Sequence, residues 1–335
     1  MKKYVNLFVF VFMIGACLSQ GRAQTKSAVS YKNPVVDIAM PDPTVIKAAD
    51  GYFYVYATES TRNVPIMKSK DLVEWTYCNT AFTNKTRPRF EPKAGIWAPD
   101  INYINSKYVL YYAMSVWGGE QTCGIGVATA DSPQGPFTDH GKMFRSNEIG
   151  VQNSIDPSLL QYEGRNYLVW GSFRGIYVIE LTADGLSIMS GAKKKRIAGT
   201  AFEAVYIHKH GDYYYMFASI GSCCQGVKST YKVVVGRSKK VWGPYKDKTG
   251  KPMLKNGYSL VIGANDHFVG NGHGSQIIQD DAGQDWLLYH GFSRSTPENG
   301  RILLLDQIKW DHEGWPYVEG GSPSYETQKA PVFNN

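Results

Sequence analysis

One module recurs five times along the chain, and this recurrence limits the fold more than any other feature of the sequence. Each copy has a polar lead residue, an alternating apolar stretch, a turn with Gly, Asp, Asn or Ser, and an aromatic-rich strand. The copies run from Asp42 to Ala57, Asp100 to Ala113, Asp156 to Trp170, Glu203 to Phe217 and His273 to Tyr289. Their lead residues are spaced by 58, 56, 47 and 70 positions, a length that suits four short strands with generous loops. Val127–Phe137 and Val235–Tyr245 echo each other as outer strands ending in a Gly-Pro turn, and Ile66–Trp75 is a looser third copy. Outside the N-terminal segment, no window of twelve or more residues free of Gly and Pro carries a helical period. The 34 Gly, 23 Tyr, 14 Phe and 8 Trp fit short strands joined by tight turns. The expectation is an all-β chain, a five-bladed β-propeller. A sandwich of two sheets has no reason to repeat five times.

The ends and the charge set the compartment and exclude some partners. Lys2 and Lys3 precede an apolar run from Tyr4 to Leu18, then Gly21-Arg22-Ala23, the pattern of a secretory signal over residues 1–23. That run has fifteen residues, short of the roughly 20 that span a membrane. Ile14-Gly15-Ala16-Cys17 also has the form of a lipobox, so lipidation at Cys17 is the alternative processing. Both routes place a single domain over residues 24–335 outside the cytoplasm, periplasmic or secreted, without a membrane span and expected to be monomeric. The formal charge of +7 drops once Lys2, Lys3 and Arg22 leave, to 33 Lys and Arg against 29 Asp and Glu. So small and dispersed an excess argues against nucleic acid, which needs clustered cations. Apolar residues at 43% against 19% charged exclude a disordered chain. Cys78, Cys123, Cys223 and Cys224 read as structural; consecutive Cys223 and Cys224 are an awkward pair, because adjacent Cα atoms lie about 3.8 Å apart, below the usual disulfide span.

In a propeller the inner strand of each blade lines the channel, so equivalent strand starts face one another at one mouth. The lead residues Asp42, Asp100, Asp156, Glu203 and His273 are then expected to form a ring. Any one Asp-Pro is more often a turn former, and a lone His is usually a satisfied side chain. Recurrence at one position of a repeat changes that balance. Carboxylates gathered at one mouth raise one another's pKa, a costly arrangement that points to function. Glycoside hydrolysis needs such a pair: a protonated acid for the leaving oxygen and an ionised carboxylate on the other side. Glu203, the longest and only Glu, is read as the acid, Asp42 as the base, and Asp156 as the group that holds up the acid's pKa.

Several motifs resemble those of glycoside hydrolase family 43, most closely its endo-1,5-α-L-arabinanases, from about Asn33 to about Val318. They are Pro41-Asp42-Pro43, Trp97-Ala98-Pro99-Asp100, Asn153-Ser154-Ile155-Asp156-Pro157, Phe202-Glu203-Ala204 and Gly270-Asn271-Gly272-His273-Gly274. The stretch from Ser222-Cys223-Cys224 through Val233 resembles the arabinanase branch more than the xylosidase branch. The resemblance implies a propeller that cleaves α-1,5-L-arabinofuranosidic linkages of arabinan, a plant cell-wall polysaccharide, with inversion. It assigns Asp42 as base, Asp156 as pKa modulator and Glu203 as acid. It also implies a metal, usually calcium, near the channel axis with His273 as protein ligand. Calcium prefers oxygen donors, so waters have to complete the shell; the bland reading of His273 is a hydrogen-bonded channel residue. Substrate contacts carried over are Gly118, Asn153, Ser154, Ile155, Ser172 and Phe173. Trp97 is a candidate stacking platform or else a core residue, and Trp117 has the same two readings. Two positions depart from the arabinanase pattern: Met40 stands where His is usual, and Arg174 where Trp is usual. They leave an exo-acting α-L-arabinofuranosidase or β-xylosidase as alternatives. A non-catalytic sugar-binding propeller would lack a carboxylate, and all three are present. Lys193-Lys194-Lys195-Arg196 reads as a solvated turn.

Overall fold

A computed structural model describes Met1 and residues 29–334; the signal-peptide and Cys17 readings fall outside these residues. Five antiparallel sheets follow one another along the chain. Blade 1 holds Thr44–Lys47, Phe53–Tyr56, Pro65–Ser69 and Thr76–Thr80, inner strand first. Blade 2 holds Gly95–Ile104, Lys107–Ser115, Gly124–Ala130 and Thr138–Arg145. Blade 3 spans Ser158 to Ala198 and blade 4 spans Glu203 to Ile262 on the same plan. Blade 5 has Phe268–Gly272 and Ile278–Gln279 as an interrupted inner strand, then Asp285–Ser293 and Ile302–Trp310. The five-bladed β-propeller expected from the repeat is what the chain folds into.

Blade 5 differs from the sequence expectation at its outer edge. The hairpin from Ile302–Trp310 to Pro316–Tyr317 forms, but the outer place beside Ile302 and Leu303 belongs to Val36–Ala39 from the other end of the chain. The Asn33 side-chain amide donates to Leu305 O (2.9 Å) and its carbonyl oxygen accepts from Leu305 N (2.9 Å), so the last blade is closed by residues from the N-terminal side of blade 1. No local signal marks such a strand, because its partner lies more than 260 residues away.

The core lies between blades, not in the channel. Five apolar clusters each join two neighbouring blades. Blade 2 shows how the sequence arranges this. In Lys107–Ser115, Leu110 and Tyr112 pack towards blade 1 while Val109 and Tyr111 pack towards blade 3. Side chains alternate across a strand, so a strand covered on both faces reads as a continuous apolar run. The two Gly-Pro turns of the repeat are the matching cis Gly135-Pro136 and Gly243-Pro244 of blades 2 and 4, each followed by a buried aromatic, Phe137 or Tyr245.

The repeat register needs one correction. Near the mouth end of each blade's inner strand one non-glycine residue has positive φ: Asp42 (54°), Ala98 (40°), Asp156 (55°), Ala204 (52°) and His273 (52°). Two residues on, Thr44, Asp100, Ser158 and Tyr206 pair with Tyr56, Tyr111, Val169 and Phe217. Asp42, Asp156 and His273 are therefore equivalent, whereas Glu203 sits one residue before the shared position and Asp100 two after it. A non-glycine residue in the left-handed region costs on the order of 1–3 kcal/mol and clusters at functional sites; here it recurs in all five blades at one mouth.

Cysteine pairing also departs from expectation. Cys223 and Cys224 are bonded to each other, with Cα atoms 3.8 Å apart. Cys78 is on the outer strand of blade 1, and Cys123 is buried against Ala113 and Ile155 in blade 2. Among the described residues the other two thiols are free and belong to different blades.

Candidate active site

Every loop that joins the second strand of a blade to its third lies at the same mouth as the inner-strand starts. These loops, residues 57–64, 116–123, 171–175, 221–231 and 294–301, bring Thr58, Trp117, Ser172, Tyr231 and Arg301 towards the ring. Asp42, Asp156 and Glu203 are 8%, 7% and 8% exposed. Three carboxyls so far from water ionise only where something favours their charge.

Asp42 has such partners. Its Oδ1 accepts from Arg301 Nη1 at 2.7 Å and lies 3.2 Å from His273 Nδ1; its Oδ2 accepts from Thr58 Oγ1 at 2.6 Å. Burial by itself raises its pKa, but the Arg301 charge and then His273 overturn that and hold the carboxyl well below the usual range. His290 Nδ1 also lies 3.3 Å from Oδ1, yet it accepts the Asp42 backbone N–H at 3.0 Å. Burial and the Arg301 charge depress the His290 pKa far below its ordinary value. His290 is thus a neutral acceptor that fixes the backbone of Asp42, not a counter-ion. The imidazole of His273 has the opposite fate: burial disfavours its charge, but Asp42, Asp156 and Glu203 raise its pKa.

Asp156 and Glu203 are a different pair. Burial pushes both up, and the Glu203 carboxylate adds to the rise at Asp156. Asp156 Oδ2 accepts the Ala204 N–H at 3.1 Å, and among the described residues no Lys, Arg or His forms an ion pair with it. Glu203 Oε2 accepts from Ser172 Oγ at 2.6 Å, and Tyr231 also donates to this carboxyl. Ser172 Oγ in turn accepts from Asn153 Nδ2 at 2.9 Å. The two carboxyls hold at least one proton between them at neutral pH, since ionising both would put two charges in one buried pocket.

His273 is placed by its neighbours. Its backbone N–H donates to Ser219 Oγ at 2.8 Å. The residue before it is glycine because a Cβ on Gly272 would fall 2.2 Å from the Tyr231 ring, the same Tyr231 that donates to Glu203. A cavity of about 20 Å³ below the ring is lined by His273, Asp100, Asp156, Thr44, Ser275 and Gln276 among others. This oxygen-rich lining with one imidazole fits a hard divalent cation that retains waters.

Asp100 does not join the carboxyl ring. It lies two residues further into the channel, where its oxygens accept from Leu159 N (2.8 Å), Asn102 Nδ2 (2.6 Å) and Gln276 Nε2 (2.8 Å). Gln276 Oε1 accepts from Thr44 Oγ1 (3.0 Å), so Asp100 is the hub of a bracket joining blades 1, 2, 3 and 5.

The remaining expected contacts divide. Trp97 is half-buried, with its ring centroid 5.5 Å from that of the 78% exposed Trp117, and Gly118 follows in the same open loop. Trp97 occupies in blade 2 the place Glu203 occupies in blade 4, one residue before the left-handed position. Asn153 and Phe173 both have positive φ and are partly exposed at the mouth, and Ile155 borders Trp97. Ser154 does not present its side chain: it is fully buried, its hydroxyl donates to Val151 O (2.7 Å) and it accepts from Trp170 Nε1 (3.1 Å). Arg174 forms a two-pronged ion pair with Glu120 (2.7 and 3.0 Å) across the loops of blades 2 and 3. Thr58, Arg301, His290, Ser219 and Tyr231 escaped sequence reasoning. Of these only Tyr231 stood in a quoted motif; the others are single polar residues that contact the ring from loops and second strands.

A buried acid pair and a cation-held carboxylate at the mouth of a propeller define a glycosidase-type site. The family model for glycosyl hydrolases family 43 matches residues 31–316. An extracellular endo-α-(1→5)-L-arabinanase of Bacillus subtilis is 36% identical over 289 residues, covering 82% of this chain and 86% of that protein. An extracellular exo-α-(1→5)-L-arabinofuranosidase of Cellvibrio japonicus is 35% identical over 306 residues, covering 83% and 86%. A solved α-L-arabinanase of Cellvibrio cellulosa, complexed with arabinohexaose, superposes with a TM-score of 0.77 at 33% identity, covering 86% of this chain and 98% of that one. The chain belongs to glycosyl hydrolases family 43 and is a glycoside hydrolase.

Proposed function

We propose that the protein hydrolyses α-1,5-linked arabinan outside the cytoplasm, by single displacement with inversion at the anomeric carbon. The observation that carries the roles is the split among three equally buried carboxyls. Asp42 alone is held by a cation, so it stays ionised and takes the proton of the attacking water as general base. Glu203, hydrogen-bonded by Ser172 and kept protonated by burial beside Asp156, gives its proton to the leaving oxygen. Asp156 shares that buried pocket, where a second negative charge beside Glu203 is disfavoured. Trp97 and Trp117 offer aromatic faces to the sugars, and Asn153, Ser172 and Phe173 border the acid. Extracytoplasmic placement is supported by the relatives named extracellular; among the described residues no helix is long and apolar enough to cross a membrane.

Calcium fits the channel below the ring, where His273 and the oxygen donors around it would hold the ion. Bound there, it would supply a fixed positive charge beneath the carboxyls. Asp42 and Glu203 carry the proton transfers.

An exo-acting mode is the second reading, favoured by one observation. The Arg174–Glu120 ion pair bridges two rim loops, and a bridge of this kind across the rim would restrict a continuing chain. Chromatography of early products from linear arabinan, branched arabinan and xylan separates the readings. Mixed oligosaccharides at the outset mean internal cleavage, arabinose alone means exo action, and turnover of xylan alone overturns the arabinan assignment. Proton NMR of the first-formed anomer tests inversion.

A further inference from the structure

The end of the channel remote from the carboxyls carries a second polar cluster. The strand Glu203–His210 begins with Glu203 at the mouth and ends with His208 and His210, two residues apart and therefore on one face. Facing them is Asp285, the first residue of Asp285–Ser293 in blade 5. One donor atom from each of the three lies within 4.8 Å of the others, and His210 Nδ1 is 3.7 Å from Asp285 Oδ2. We infer that His208, His210 and Asp285 form a binding site for one zinc-type divalent ion that clamps blade 4 to blade 5.

The donor chemistry selects the class of ion. Two imidazoles and one carboxylate suit zinc and its first-row neighbours and suit calcium or magnesium poorly. Tetrahedral bonds of about 2.0–2.2 Å place such donors roughly 3.3–3.6 Å apart. At 3.7 Å the His210–Asp285 pair is close to that separation, and His208 would have to close on them from within 4.8 Å. The surroundings of a metal site are also present. Asp285 Oδ2 accepts from Trp310 Nε1 at 2.8 Å and its Oδ1 from Gln279 Nε2 at 3.2 Å, which orients the carboxylate. The Trp310 ring lies flat on His210, with centroids 3.7 Å apart and planes 9° apart, and holds the imidazole in place. Among the described residues, neither imidazole makes a hydrogen bond to protein, so their nitrogens are free to ligate. Both histidines are only partly buried, so water has access to complete the shell.

The test uses the full-length, untagged protein, stripped with a chelator and then supplied with excess calcium before zinc is titrated calorimetrically. One equivalent is expected, with a Kd in the micromolar range or tighter. Affinity should fall at least 100-fold in His208→Ala and in His210→Ala, and at least tenfold in Asp285→Asn, while His273→Ala binds zinc like wild type. Zinc should also raise the melting temperature of the wild type and not of His208→Ala, whose metal-free melting curve checks that it folds. Replacing zinc by cobalt should give visible absorption that vanishes in the same variants. No saturable zinc binding by wild type, binding unchanged in the His208→Ala/His210→Ala double variant, or binding lost only in His273→Ala would each overturn the assignment.

Discussion

Asp42 and the Asp156–Glu203 pair belong to one ring, yet they are driven in opposite directions. Burial is nearly the same for all three, so burial cannot be the cause of the difference. What separates them is who stands beside them. Arg301 and His273 contact Asp42, whereas hydroxyls, a backbone N–H and another carboxyl surround the pair. One mouth therefore holds an ionised base and a loaded acid at the same pH. The division of labour is set by a guanidinium from the loop 294–301, not by the carboxyl-bearing strands themselves.

The largest expected effect comes from removing the two ends of that contrast. Glu203→Gln and Asp42→Asn should each lower kcat on arabinan by about 10²–10⁴-fold, the usual reach of general acid–base catalysis. Their difference should emerge with an aryl arabinofuranoside, whose leaving group needs little protonation. Glu203→Gln should recover much of its rate there and Asp42→Asn should not. Equal recovery by both would mean that the roles are assigned to the wrong residues.

Next in size is Arg301→Met. Without the guanidinium, burial dominates and the Asp42 pKa rises. Wild type should show a bell-shaped kcat/KM profile, its acid limb from protonation of Asp42 and its basic limb from loss of the proton held by Asp156 and Glu203. In Arg301→Met the acid limb should move to higher pH while the basic limb stays, and activity at the acid end should fall about tenfold or more. An unmoved acid limb would show that Arg301 is not what keeps the base ionised.

These predictions rest on residues that differ in how far the sequence reveals them. The five blades were legible because each copy repeats its apolar run and aromatic strand, and Asp42, Asp156 and His273 were legible because they occupy one repeat position. Glu203 was found although it stands one residue off that position, since its place follows the same strand start. Asp100 was misplaced for the same reason: counting lead residues does not detect a two-residue offset that only the pairing of Asp100 with Tyr111 reveals. Arg301, Thr58 and His290 left no signal, because each acts through a contact made by folding across 16 to 259 positions. Ser154 shows the converse. It sits inside a quoted motif, yet its hydroxyl braces Trp170 beneath the mouth.

A stability measurement sharpens the comparison further. The folded-state pKa of Asp156 is raised above the roughly 3.9 of an unfolded chain. The stability it contributes is therefore full below that unfolded value and is lost as pH rises through the folded one. Asp156→Asn removes a charge that the folded state holds at a disadvantage. Thermal melting should show the variant gaining about 1–2 kcal/mol over wild type on the alkaline side, with the gain shrinking as pH falls towards 4. Arabinan turnover should drop in the same variant. A gain of the same size at every pH would mean that Asp156 is strained by packing and not by its charge.

The smallest effect tests the hydroxyl side of the ring. Ser172 donates to Glu203 and so favours the ionised form of the acid. In Ser172→Ala that support is gone, the Glu203 pKa rises further, and the basic limb of the profile should move to higher pH. One hydrogen bond to a charged group is worth roughly 1.5–3 kcal/mol, but the reacting form of Glu203 is the protonated one, which loses less. The fall in kcat at neutral pH should therefore stay within about tenfold. Ser172→Thr, which keeps the hydroxyl, should restore the wild-type limb. If the alanine variant instead moved the acid limb, Ser172 would be acting on Asp42, and the separation of the mouth into a cation-held base and a hydroxyl-held acid would fail.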